Sequence, residues 1–182
     1  EYLLENCFVN HAFFQDMIHS GLNAYLTLDI AQTLLRNNDP RFQKLIRVVA
    51  DLASPTGQWP EAIHPTTGGG CMGDGQHGWA AAEWIMMMRN LFVREEGKTL
   101  VIGAGIFPDW IEEKTQLAFG PTLVPGGQLN VRITGSANRL TVFLDSDFHG
   151  PPLPCWIAVP GYRPVETDTS ESTHVLEPIR EK

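Results

Sequence analysis

The stretch from Ser54 to Trp84 constrains this chain more than any other. Before Trp79 it holds seven glycines and three prolines, which leaves little of it free to enter a regular helix. A connection longer than about 12–15 residues with no element of its own is usually either a working loop or a disordered one. Trp59, His64 and His77, with the carboxylates Glu61 and Asp74, are a poor composition for disorder. The stretch then feeds into Trp79-Ala80-Ala81-Ala82-Glu83-Trp84-Ile85-Met86-Met87-Met88, an apolar run that reads as a helix. An ordered loop carrying aromatic and acidic groups at a helix N-terminus is a natural place for chemistry.

The segments around it supply the setting. Residues 8 to 36 read as helix with a joint at Ser20-Gly21, because Phe13, Phe14, Met17, Leu22, Tyr25, Leu26, Leu34 and Leu35 recur at helical spacing. Asn37-Asn38-Asp39-Pro40 is a turn, and a second helix over 40 to 53 places Phe42, Leu45, Ile46 and Val49 on one face. A third covers 77 to 94. The first and third are far less polar than the second. This order, apolar then amphipathic then apolar, is the alternation of inner and outer helices in a two-layered helical toroid.

Helices that are apolar nearly all round need cover on several sides, and one outer helix cannot give it. The reading therefore predicts self-association, or association with a missing N-terminal part of a longer protein. The absence of any start signal in Glu1-Tyr2-Leu3-Leu4 favours the second. After Gly97-Lys98 the composition changes. Residues 116 to 124, 128 to 134 and 139 to 144 read as strands, with weaker candidates at 100 to 102, 155 to 159 and 173 to 176. The expected organisation is a partial helical domain over 1–98, then a small antiparallel β-sandwich-like domain with an irregular tail over 99–182, an α+β chain.

A net charge of −8 excludes broad contact with nucleic acid or an anionic membrane, since both need basic patches. No apolar run reaches the roughly 18 residues that a bilayer span needs. Cys7, Cys71 and Cys155 are odd in number and widely spaced, which predicts reduced thiols and a cytoplasmic location.

Two short motifs add a resemblance. Gly57-Gln58-Trp59-Pro60-Glu61-Ala62, followed by Gln76-His77-Gly78-Trp79-Ala80-Ala81-Ala82-Glu83-Trp84, resembles the C-terminal end of the six-hairpin, (α/α)6-toroid glycosidases, glucoamylase-like enzymes above all. In those enzymes a Pro-Glu loop carries the catalytic base, ahead of the last inner helix. The resemblance covers about residues 22 to 94. It implies the C-terminal part of an (α/α)6 toroid and a glycoside hydrolase acting on an oligo- or polysaccharide, with Glu61 as general base. Ala62 departs from the Gln of that pattern, the run around Cys71 and Asp74 is peculiar to this chain, and the general acid would lie upstream.

On that reading Trp59 is a stacking platform for sugar, and His64, Asp74, His77 and Trp79 line the mouth together with His19 and Asn23. Asp74 equally suits a helix N-cap. His64 and His77 match no metal-ligand spacing, so neither metal nor cofactor is predicted. Two alternatives are a non-catalytic carbohydrate-binding module and a helical interaction scaffold.

Overall fold

The computed structural model describes residues 1–17, 20–73, 75–111, 116–136 and 139–179. The chain divides into two compact units, residues 1–87 and 88–182.

The first unit opens with a short helix, α1 (Tyr2–Asn6), and the strands β1 (Phe8–Val9), β2 (Ala12–Gln15) and β3 (Gly21–Leu22). Helix α2 (Ala24–Arg36) starts where Asn23 caps it, the side-chain oxygen accepting from the Leu26 N–H at 3.1 Å. Helix α3 (Arg41–Asp51) follows across the Asn37–Pro40 turn and packs on α2, burying Phe42, Leu45, Ile46 and Val49 against a face containing Leu28, Ala31 and Leu35. Strands β4 (Ala62–Ile63) and β5 (Gly70–Met72) lie inside the glycine-rich stretch. All five strands join in the order β1-β2-β3-β4-β5, antiparallel throughout. Helix α4 (Gly78–Phe92) comes next, and the division between units falls inside it.

In the second unit β6 (Val93–Glu96) and β7 (Thr99–Ile102) form a hairpin. A 3-10 turn over Pro108–Trp110 precedes three long strands, β8 (Gln116–Val124), β9 (Gly127–Ser136) and β10 (Arg139–Phe148). The strands β11 (Pro154–Ile157), β12 (Val165–Asp168) and β13 (Thr173–Leu176) complete it. Two four-stranded sheets result, β13-β10-β9-β8 and β12-β11-β7-β6, and in the second β7 and β11 run parallel. Val93, Leu100, Ile102 and Ile157 from one sheet share a core with Leu129, Val131, Ile133, Leu140, Val142 and Leu176 from the other. Each such side chain contributes about 1.5–3 kcal/mol relative to exposure.

This architecture corrects the toroid. Four helices and three sheets, among the described residues, make a mixed α+β protein in which no inner and outer ring alternates. The glycosidase resemblance loses the fold it depended on. The error is clearest over 8–22, read as helix but folded as β1 to β3. Asn10 (φ 51°) and His11 (φ 66°) both adopt left-handed backbone and pair Val9 with Ala12 across a two-residue turn. That geometry matches the natural twist of a hairpin and cannot continue a helix. The long stretch after Ala53 is likewise not structureless, since β4 and β5 extend the same sheet.

Helix α2 is well covered. Helix α4 is not: Ile85 is 67% and Met86 48% exposed, beside exposed Ala81 and Ala82, while Ala80 and Met87 on the opposite face are buried. No helix among the described residues is long and apolar enough to cross a membrane.

Candidate functional site

The start of α2, the Trp59–Glu61 segment and the start of α4 come together in the first unit. Asn23 is the knot. Besides capping α2, its buried amide Nδ2 donates to Gln15 Oε1 and to the Glu61 carbonyl, each at 3.2 Å. Glu61 is held from the other side as well, its N–H donating to the Met72 carbonyl at 3.1 Å. The half-buried Glu61 side chain therefore sits on a backbone fixed at both ends. The His77 N–H donates to the Trp59 carbonyl at 2.8 Å, which joins the start of α4 to the same segment.

The aromatic groups divide into a sealed set and an open one. Trp59 is 4% exposed, its Nε1 donates to the Val49 carbonyl at 2.8 Å, and its ring lies 5.3 Å from that of Trp84. It anchors the core and offers no face to a sugar, which corrects its expected role as a platform. Trp79 is 53% exposed. Its ring stacks on the buried Tyr25 at 4.4 Å, and its Nε1 donates to Glu83 Oε1 at 3.3 Å. His77 also packs on Tyr25, with ring centroids 4.9 Å apart, and its Nδ1 is enclosed with no hydrogen-bond partner among the described residues.

One turn along both helices, Asp29 meets Glu83. Partial desolvation, then the Glu83 charge and the hydrogen bond the two carboxyls share, raises the Asp29 carboxyl above its ordinary value. The helix spacing explains the layout: Tyr25 and Asp29 on α2, and Trp79 and Glu83 on α4, each stand four residues apart and so share a face. Tyr25, Asp29 and Gln15 are site neighbours that no motif in the sequence marks, Tyr25 counting there only as one apolar position of a helix. The paired four-residue spacings were the signal that could have found the first two.

The remaining expected residues fall elsewhere. His64 closes the connection between β4 and β5, its Nδ1 accepting from the Thr66 and Thr67 N–H groups at 3.1 and 3.2 Å, so it serves the turn. His19 and Asp74 lie outside the described residues. Asn23 is committed to capping and to holding Gln15 and Glu61, which makes it a positioning residue rather than a sugar contact.

No family model, curated protein or solved structure matches this chain.

Proposed function

We propose that the first unit binds saccharide on the surface centred on Trp79. The observation that carries this reading is an indole ring 53% exposed yet held in one orientation, stacked at 4.4 Å on Tyr25 and tethered at 3.3 Å to Glu83. A sugar ring presents a face of C–H groups rimmed by hydroxyls. A rigid aromatic plane covers the first at little entropic cost, and carboxylate and imidazole groups accept from or donate to the second. Glu83, which accepts from the indole N–H, Asp29, which meets Glu83, and His77, with its ring centroid 6.5 Å from that of Trp79, are polar groups beside that plane. The hydrolytic role of Glu61 drew its force from the toroid, and with that architecture withdrawn we propose binding alone.

Tryptophan fluorescence titrated with malto-, cello-, xylo- and chito-oligosaccharides tests the reading. A saturable change is expected with at least one series, lost in Trp79→Ala while the melting temperature holds. Glu61→Gln should bind nearly as well as the parent. No saturable change with any series, or full retention of binding by Trp79→Ala, would overturn the proposal.

A further inference from the structure

The outward face of the β8–β9–β10 sheet carries a trough of about 200 Å³ in the second unit, independent of the Trp79 surface. Two cross-strand rows form it. Ala118, Arg132 and Phe143 make the first, paired Ala118 to Arg132 and Arg132 to Phe143. Gly120, Asn130 and Asp145 make the second, with Asn130 opposite Asp145. Long side chains from β9 and β10 form one bank, and the short residues at 118 and 120 leave the other side low.

The notch at Gly120 is built in. The register of β8 against β9 shifts between Phe119 and Thr122, and Gly120 adopts φ 137°, a backbone that side-chain-bearing residues rarely take. A Cβ there would come within 2.6 Å of Asn130 Oδ1 and 2.8 Å of its Cα. Bulges of this kind re-aim side chains and recur beside binding sites.

The polar groups are of mixed character. The Arg132 guanidinium lies over the Phe143 ring, 5.2 Å from its centroid, which orients its N–H groups. Asn130 Nδ2 donates to Asp145 Oδ2 at a long 3.4 Å, so the carboxylate keeps acceptor capacity. An anion drawn by Arg132 meets Asp145, and a cation drawn by Asp145 meets Arg132. A hydroxyl both donates and accepts, and so satisfies a guanidinium and a carboxylate side by side without bringing charge. On this outward face Ala118 and the Phe143 ring bring the carbon surface that suits a C–H face, while Phe119 and Val131 pair on the core side of the sheet. We propose that this trough is a binding site for one neutral sugar ring, with Arg132, Asn130 and Asp145 as its hydroxyl-reading groups.

The test is an amide chemical-shift titration of the full chain with methyl β-D-glucoside, methyl β-D-galactoside and methyl α-D-mannoside, with D-glucuronate as the charged comparison. Saturable shifts at Ala118, Gly120, Arg132 and Asp145 are expected with at least one neutral glycoside, and weaker ones with glucuronate. Asp145→Asn and Arg132→Gln are exposed changes, and each should weaken binding about fivefold or more with the melting temperature unchanged. Trp79→Ala should leave these shifts in place, so failure here and failure at Trp79 are told apart. The site is refuted if no neutral glycoside gives saturable shifts at these amides, if glucuronate binds better than all three, or if both variants bind as the parent does.

Discussion

Trp59 and Trp79 flank the glycine run and do opposite work. Trp59 closes the core with its N–H committed to the Val49 carbonyl. Trp59→Phe keeps most of the ring but leaves that buried carbonyl unpaired, and should cost about 1–3 kcal/mol in denaturant unfolding. Trp79→Ala removes an exposed ring and should cost much less, so equal losses would contradict this division of roles. Asp29 makes a second prediction at this scale. A carboxyl whose proton is held more tightly in the folded than in the unfolded chain stabilises most in acid, and loses that contribution as pH climbs through its raised value. Asp29→Asn keeps a donor for Glu83 but does not titrate. Its melting temperature should therefore fall less than the parent's between about pH 4 and about pH 7. Parallel curves for the two proteins would show that the carboxyl pair does not matter to stability. Which tryptophan is open could not be read from the sequence, because both stand in similar Gly- and Pro-rich surroundings and only tertiary packing separates them. Glu61 and His77 were legible as members of one ordered stretch, and the His77 N–H does bond back to Trp59 within it. Asn23 was legible as important, but for the wrong reason.

Among the elements, the end of α4 is fastened to the strands that follow it by one side chain. Arg89 grips Glu95 with two bonds, Nη2 to Oε1 at 2.5 Å and Nη1 to Oε2 at 2.9 Å. Its Nε donates to Thr122 Oγ1 at 3.2 Å and its Nη2 to the Leu123 carbonyl at 2.9 Å, so β6 and β8 are held together. A planar fork can serve these partners at once and a lysine ammonium cannot. Arg89→Lys should therefore lose about 1–3 kcal/mol, measured by denaturant unfolding, and a loss near zero would show that the clamp is ornamental. The strands here were readable: β8 and β13 match the runs that alternate in the sequence, since a half-buried sheet imposes a period of two. Helix α4 was readable from its apolar density, though not its end, where β-branched Val93 opens β6. The failure over 8–22 has a definite cause. Asn10 is a familiar left-handed turn residue but His11 is not, so the hairpin carried only half of its usual signal, and the apolar spacing around it also fitted a helix.

For the whole molecule, one mixed α+β unit and one mainly β unit replace the ring that the apolar helices suggested. Apolarity all round a helix says that both sides avoid water, not which partner covers them, and that is why α4 misled. The uncovered Ile85 and Met86 have a consequence for the protein as a colloid. With a net charge of −8 at neutral pH, mutual repulsion keeps such oily stripes apart in solution. That repulsion vanishes near the isoelectric point of about 5.1. Light scattering against pH should show clouding centred there, deepened by salt on its alkaline side, where screening weakens the remaining repulsion. Ile85→Lys with Met86→Lys should clear the solution at the new, higher isoelectric point, because the stripe itself is gone. If the double variant clouds as strongly at its own isoelectric point as the parent does at 5.1, the stickiness resides elsewhere on the surface.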